Sequence, residues 1–103
     1  MKIVTSSEAR ELIASNKPLL IDFYADWCGP CKMIAPVLEE LSKQFEGEIE
    51  IVKLNVDQED LGREYGVMSI PNLVAFKDGK VAKQVVGFQP KPMLEQLIKT
   101  VIQ

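Results

Sequence analysis

LLIDFYADWCGPCK, Leu19 to Lys32, holds both cysteines of the chain and joins two kinds of hydrophobic pattern. Leu19 to Tyr24 is a continuous apolar run interrupted only by Asp22. Such a run predicts a strand covered on both faces rather than one with a wet side. Past the second cysteine, Ile34, Val37, Leu38, Leu41 and Phe45 recur at helical spacing until Gly47 ends the helix. Pro30 fits the first turn of that helix, where the N–H it lacks has no partner to lose. Pro36 lies inside it and should kink it, by removing one backbone bond and crowding the preceding turn. Cys28 and Cys31 therefore sit where a buried strand hands the chain to a helix.

Outward from this unit, Lys2 to Thr5 reads as a short strand. Thr5-Ser6-Ser7-Glu8 matches a capping box, opening a helix through about Ser15 with Leu12 and Ile13 facing inward. Asn16-Lys17-Pro18 is a turn. Ile49 to Val56 alternates as a strand, with Ile51 and Lys53 on one face and Val52 and Leu54 on the other. Asp57 is expected to cap a short polar helical stretch ending near Gly66. Asn72 to Phe76 and Val81 to Val86 flank Lys77-Asp78-Gly79-Lys80, a hairpin whose two central residues need positive φ. Leu94, Leu97, Ile98 and Val101 mark an amphipathic closing helix behind Pro90 and Pro92. The order is βαβαβ, a short helix, a hairpin and a helix. That order predicts the α/β class, with helices covering both faces of one mixed sheet.

Composition narrows the partners. The chain has 103 residues, 47% of them apolar, which suits one domain with a single modest core. A formal charge of -3 and a pI near 4.9 argue against nucleic acid or an anionic membrane, since both reward a basic face. No apolar run approaches the ~18 residues of a bilayer span. The start, MKIVTSSEARELIASN, lacks a signal-like apolar block, so the expected compartment is the cytosol, where a lasting structural disulfide is disfavoured. The chain contains no histidine, which rules out Ser-His and Cys-His hydrolysis and any histidine metal ligand.

Three uses of the two cysteines compete. Two thiolates are half of a four-thiolate zinc site, so zinc would require a dimer sharing the ion. As a staple, so short a loop would contribute only ~2 kcal/mol, less than any longer one. Redox exchange explains the spacing better. A thiol at a helix N-terminus faces unpaired N–H groups and the positive end of the dipole, which favour thiolate over thiol. Cys28 is then the nucleophile. Cys31, one turn in and expected to be shielded by the helix, is tethered close enough to resolve the mixed disulfide.

WCGPCK (27–32) resembles the active-site motif of the thioredoxin family, and the likeness covers nearly the whole chain. MIAPVLEEL (33–41) resembles that family's kinked helix, and KLNVDQ (53–58), SIPNLVAFKDGK (69–80) and VVGF (85–88) resemble its later landmarks. The resemblance implies a thioredoxin-like α/β fold as one domain over residues 1–103, a mixed sheet of about five strands flanked by about four helices. It implies a protein-disulfide reductase donating electrons to proteins such as reductases and peroxidases. It also implies no bound cofactor, with NADPH acting through a separate thioredoxin reductase, and a monomer whose substrates are protein disulfides.

The resemblance also assigns supporting residues. Asp22 has apolar neighbours on both sides, so it is expected to be buried with its pKa raised rather than to reach water from an edge strand. The family resemblance makes it the carboxylate that accepts the proton of Cys31. Lys53 either snorkels to water or lies near Asp22 and biases its ionisation, the second being what the resemblance implies. Base rates favour a trans Ile70–Pro71 bond, whereas the resemblance implies a cis-proline opposite the cysteines, presenting the backbone of Ile70 to an extended substrate. Trp27, Gly29, Pro30 and Gly87 complete the implied groove, Gly87 because a side chain there would block an approaching strand. Tyr24 stands where many relatives carry a second tryptophan. Ser69, Asn72 and Phe88 depart from the usual residues and bear on partner preference. Lys32 either supports the thiolate or is simply solvated. The rival functions are a disulfide oxidase or isomerase on the same fold, and a binding subunit whose cysteines are incidental.

Overall fold

The computed structural model describes residues 1–103. Its elements are β1 (Lys2–Ile3), α1 (Ser6–Ala14), β2 (Leu19–Tyr24), α2 (Gly29–Gln44), β3 (Glu50–Asn55), a 3-10 helix (Leu61–Tyr65), β4 (Asn72–Lys77), β5 (Lys80–Val86) and α3 (Lys91–Ile102). The strands form one mixed sheet in the order β1-β3-β2-β4-β5. β3 runs parallel to β1 and β2, while β4 runs antiparallel to β2 and β5. Three α-helices are present rather than about four. The polar stretch after Asp57 forms only the short 3-10 helix, which buries little besides Leu61 and Gly62.

β2 is the central strand and is buried along its whole length, as its unbroken apolar run requires. Its alternating side chains feed two cores. Leu20 packs with Ile51, Leu73 and Ala75 beneath Ile34, Leu38 and Leu41 of α2 and Leu94, Leu97, Ile98 and Val101 of α3. Leu19, Ile21 and Phe23 pack with Val52, Leu54, Val74 and Phe76 beneath Ala9 of α1 and Leu61. Each large side chain fully buried there is stabilising by about 1.5–3 kcal/mol. Pro36 lies on the exposed side of α2, so the helix runs on through it while Lys32 loses the N–H that would normally reach its carbonyl.

Local signals act where the sequence places them. The Thr5 hydroxyl accepts from the N–H of Glu8 at 3.1 Å, and the Glu8 carboxylate accepts from the N–H of Thr5 at 3.0 Å, closing the capping box. β1 is two residues shorter than expected because the chain must turn into that cap, though the N–H of Val4 still donates to the Lys53 carbonyl at 2.8 Å. Asp78 and Gly79 have φ of 54° and 79°, the mirror-image turn that a two-residue hairpin needs.

Gly79 has a second duty. A Cβ on it would lie 2.6 Å from Oδ1 of Asn16, at the end of α1, in a backbone conformation with positive φ. Gly79→Ala is expected to destabilise the protein by about 1–2 kcal/mol from the backbone term alone. The steric term adds to that, so urea unfolding will show a lower midpoint with an unchanged slope. A variant as stable as the parent would mean that the turn and Asn16 yield freely.

Candidate functional site

The C-terminal end of β2 and the N-terminal end of α2 meet at the two cysteines. Cys28 is the N-cap of α2, with extended backbone angles (φ -88°, ψ 111°). Its sulfur accepts the N–H of Cys31 at 3.2 Å, satisfying one of the donors a helix start leaves free. Pro30 occupies the first turn. Cys28 and Cys31 are joined as a disulfide with a Cα separation of 5.2 Å. The expected difference in shielding is absent, since both cysteines are 4% exposed. Bonded to one another, both sulfurs lie in a small cluster with Tyr24 and Ala25, against which Val56 and Ile70 pack. What distinguishes them is electrostatic. Only Cys28 receives a backbone N–H, at the positive end of the helix dipole.

On the face of β2 shared with Leu20 lies Asp22, fully buried, and neither carboxylate oxygen has a hydrogen-bond partner. Desolvation penalises its charged form and pushes its pKa up to about 7, outweighing Lys53, which pulls in the opposite direction. Lys53 is the register neighbour of Asp22 on β3. It is half-buried and forms no ion pair; its ammonium lies 4.2 Å from the centroid of the Tyr24 ring. The Lys53 side chain neither extends freely into water nor forms an ion pair with Asp22. It lies beside Asp22 and lowers that pKa, as the resemblance implies, while its ammonium rests over the ring of Tyr24 rather than pairing with the carboxylate. Tyr24, Lys53, Cys31, Lys32 and Ala35 line a cleft of ≈ 310 Å³ that opens beside the resolving sulfur.

Opposite the cysteines, the Ile70–Pro71 peptide is cis. Ile70 packs on the cysteine cluster, and its N–H and C=O make no hydrogen bond within the chain. The Pro71 carbonyl is taken by the N–H of Gly87 at 2.8 Å, which holds Gly87 beside this loop. Gly87 has φ 88°, and a Cβ on it or on Gly29 would point into open space. Exposed apolar side chains gather in the flanking segments: Trp27 is 70% exposed, Met68 94% and Phe88 44%. Lys32 is exposed, as is Ser69.

Two partners escaped the sequence. Asp57 does not cap a helix; its carboxylate accepts the indole N–H of Trp27 at 2.8 Å, while its own N–H donates to Oδ1 of Asn55. Asn72 sits on the sheet face opposite Asp22, where its Oδ1 accepts from Gln84 at 3.0 Å. Its departure from the family pattern is thus answered by a neighbour on β5, not turned toward the cysteines. A hollow of ≈ 530 Å³ lined by Val56 to Asp60, Gly62, Arg63 and Val67 is roomier than the cleft by Cys31 but is lined by neither cysteine. No group of three or more His, Cys, Asp or Glu side chains is placed to hold a metal ion. No helix is long and apolar enough to cross a membrane.

Known proteins similar to this chain include thioredoxins. The family profile described as Thioredoxin matches residues 1–100. A thioredoxin of Alicyclobacillus acidocaldarius is 44% identical over 101 residues, covering 97% of this chain and 96% of the relative. A thioredoxin of Staphylococcus aureus is 56% identical over 80 residues, 77% of each chain. A solved mutant thioredoxin from Halobacterium salinarum NRC-1 superposes with a TM-score of 0.90 at 38% identity, covering 99% of this chain and 90% of that one. With a disulfide-forming Cys-Gly-Pro-Cys pair at the start of its second helix, the chain belongs to the thioredoxin family of thiol–disulfide oxidoreductases.

Proposed function

We propose that the chain works as one thioredoxin domain over residues 1–103, a monomeric cytosolic protein-disulfide reductase that supplies electrons to proteins such as reductases and peroxidases. The observation that carries this reading is the N–H of Cys31 aimed at the Cys28 sulfur from the first turn of α2. In the reduced protein that donor and the helix start stabilise the Cys28 thiolate. The thiolate attacks a substrate disulfide, forming a Cys28–substrate bond and expelling the first substrate thiolate. Cys31 then gives its proton to Asp22, the buried carboxylate with a pKa near neutrality. The new thiolate attacks Cys28, closing the Cys28–Cys31 disulfide and releasing the second substrate thiolate. Two electrons leave the protein in each cycle. Lys53 moderates the ionisation of Asp22. A separate thioredoxin reductase drawing on NADPH restores the dithiol, so no cofactor is bound.

Substrate docking on this reading uses the rim of Trp27, Gly29, Pro30, Ile70, Pro71 and Gly87. The free N–H and C=O of Ile70 can pair with an extended segment, as in strand addition. The chain's acidity and the basic faces that nucleic acid and anionic membranes demand support neither as a partner. The oxidase and isomerase alternative needs a cationic group between the cysteines to hold the thiolate, and Gly29-Pro30 offers none. About 30 mV corresponds to ~1.4 kcal/mol in this couple, so one such group would decide direction. Equilibration with glutathione tests the choice: the pair is expected on the reducing side, and a pair that oxidises glutathione readily would reverse the assignment.

A further inference from the structure

Lys53 raises a question that the proton relay leaves unanswered. Its Cα is in register with Asp22 across a parallel strand pair, and the carboxylate is buried without a single hydrogen-bond partner. An ion pair there would satisfy both groups. Instead the ammonium is 4.2 Å from the centroid of the Tyr24 ring, at the wall of the cleft beside Cys31. The ring is itself buried against the cysteines. Tyr24 follows Asp22 by two residues on the same strand, so both side chains leave the same face of the sheet. An ammonium over an aromatic face gains an attraction comparable with a surface ion pair, and more where water is thin.

From this geometry we infer that Tyr24 is a positioning residue: its ring holds the Lys53 ammonium back from Asp22, keeping that carboxyl unpaired and able to exchange a proton near neutral pH. This rests on Asp22 being the relay, yet the positioning can be measured without turnover. The other charged groups around the pair act less directly. Asp26, just beyond β2, acts on Tyr24, and Glu39 of α2 feels Lys53 but is already bound by the N-terminal ammonium at 2.8 Å. β4 presents only Leu73 to Asp22.

The test is a pH titration of the Asp22 carboxyl carbon by NMR in the oxidised full chain, where no cysteine titrates. Tyr24→Phe keeps the ring and is expected to leave the midpoint where it is. Tyr24→Leu frees Lys53 to reach the carboxylate and lowers the midpoint by about one pH unit, tenfold in proton affinity. In a Lys53→Met background, Tyr24→Leu is expected to change nothing further. An unmoved midpoint in Tyr24→Leu overturns the inference, as does an equal fall in the Lys53→Met background, which would assign the effect to packing. Should Tyr24→Leu not fold, the wild-type spectrum decides, because ε-methylene protons of Lys53 that lack an upfield ring-current shift also overturn it. The relay is read separately, from turnover of Asp22→Asn. A midpoint that moves as expected beside unchanged Asp22→Asn turnover would keep the positioning and discard the relay.

Discussion

Cys31→Ser is expected to accumulate a stable mixed disulfide with protein substrates, while Cys28→Ser neither captures them nor reduces insulin. Both variants lose the catalytic cycle, by about 10³-fold or more in turnover, because each removes a sulfur that must form and break a bond. The informative difference lies in what is trapped. In Cys31→Ser the Cys28 sulfur keeps the helix start behind it, so the first attack proceeds and the second never comes. In Cys28→Ser the remaining sulfur receives no backbone N–H, so the feature that favours a thiolate at Cys28 is missing. Alkylation of the reduced wild type below neutral pH measures the same asymmetry, and Cys28 is expected to react first. Capture of substrates through Cys31 would reverse the two roles.

How much of this could be read from the residues follows the range of the interactions. The capping box spans Thr5 to Glu8 and the hairpin turn spans Asp78 and Gly79, so a few neighbouring residues carry each signal. β2 was legible because burial on both faces leaves a continuous apolar run. The face of Lys53 was legible too, since strand alternation is local. Its destination was not, because the Tyr24 ring lies on another strand. Asp57 shows the limit most sharply. Its spacing fits a helix cap, but its carboxylate goes to an indole thirty positions away, and nothing in either segment announces the other. The equal burial of the cysteines was missed for a related reason. Shielding depends on what Val56 and Ile70 bring to the cluster, not on the order of residues within α2.

Asp22→Asn should make the oxidised protein more stable in alkali and a poorer reductase. In the unfolded chain an aspartate titrates near ~3.9. In the folded protein Asp22 is pushed up to about 7 by desolvation. Between those values the folded state keeps a proton that the unfolded state has lost, so stability falls as pH rises. A gap of about three units at ~1.36 kcal/mol each removes about 4 kcal/mol by the time pH exceeds 8. Asparagine carries no charge and escapes that loss, but its buried amide lacks partners and gives back about 1–3 kcal/mol. The net expectation is a variant more stable by about 1–3 kcal/mol at pH 9 and no more stable, or less, at pH 5. Urea unfolding with the disulfide intact reads this directly. The lowered pKa values of Glu8 and Glu39 act below this window and the raised ones of Arg10 and Lys91 above it. Parallel pH dependences for the two proteins would mean that Asp22 ionises as easily folded as unfolded. Release of the mixed disulfide at pH 7 should slow at the same time, by up to about 10²-fold, because Cys31 has lost its proton acceptor. Stability and rate are then expected to move in opposite directions through one carboxyl group: the burial that costs the fold several kcal/mol in alkali is what gives Asp22 the neutral pKa that the proposed relay needs.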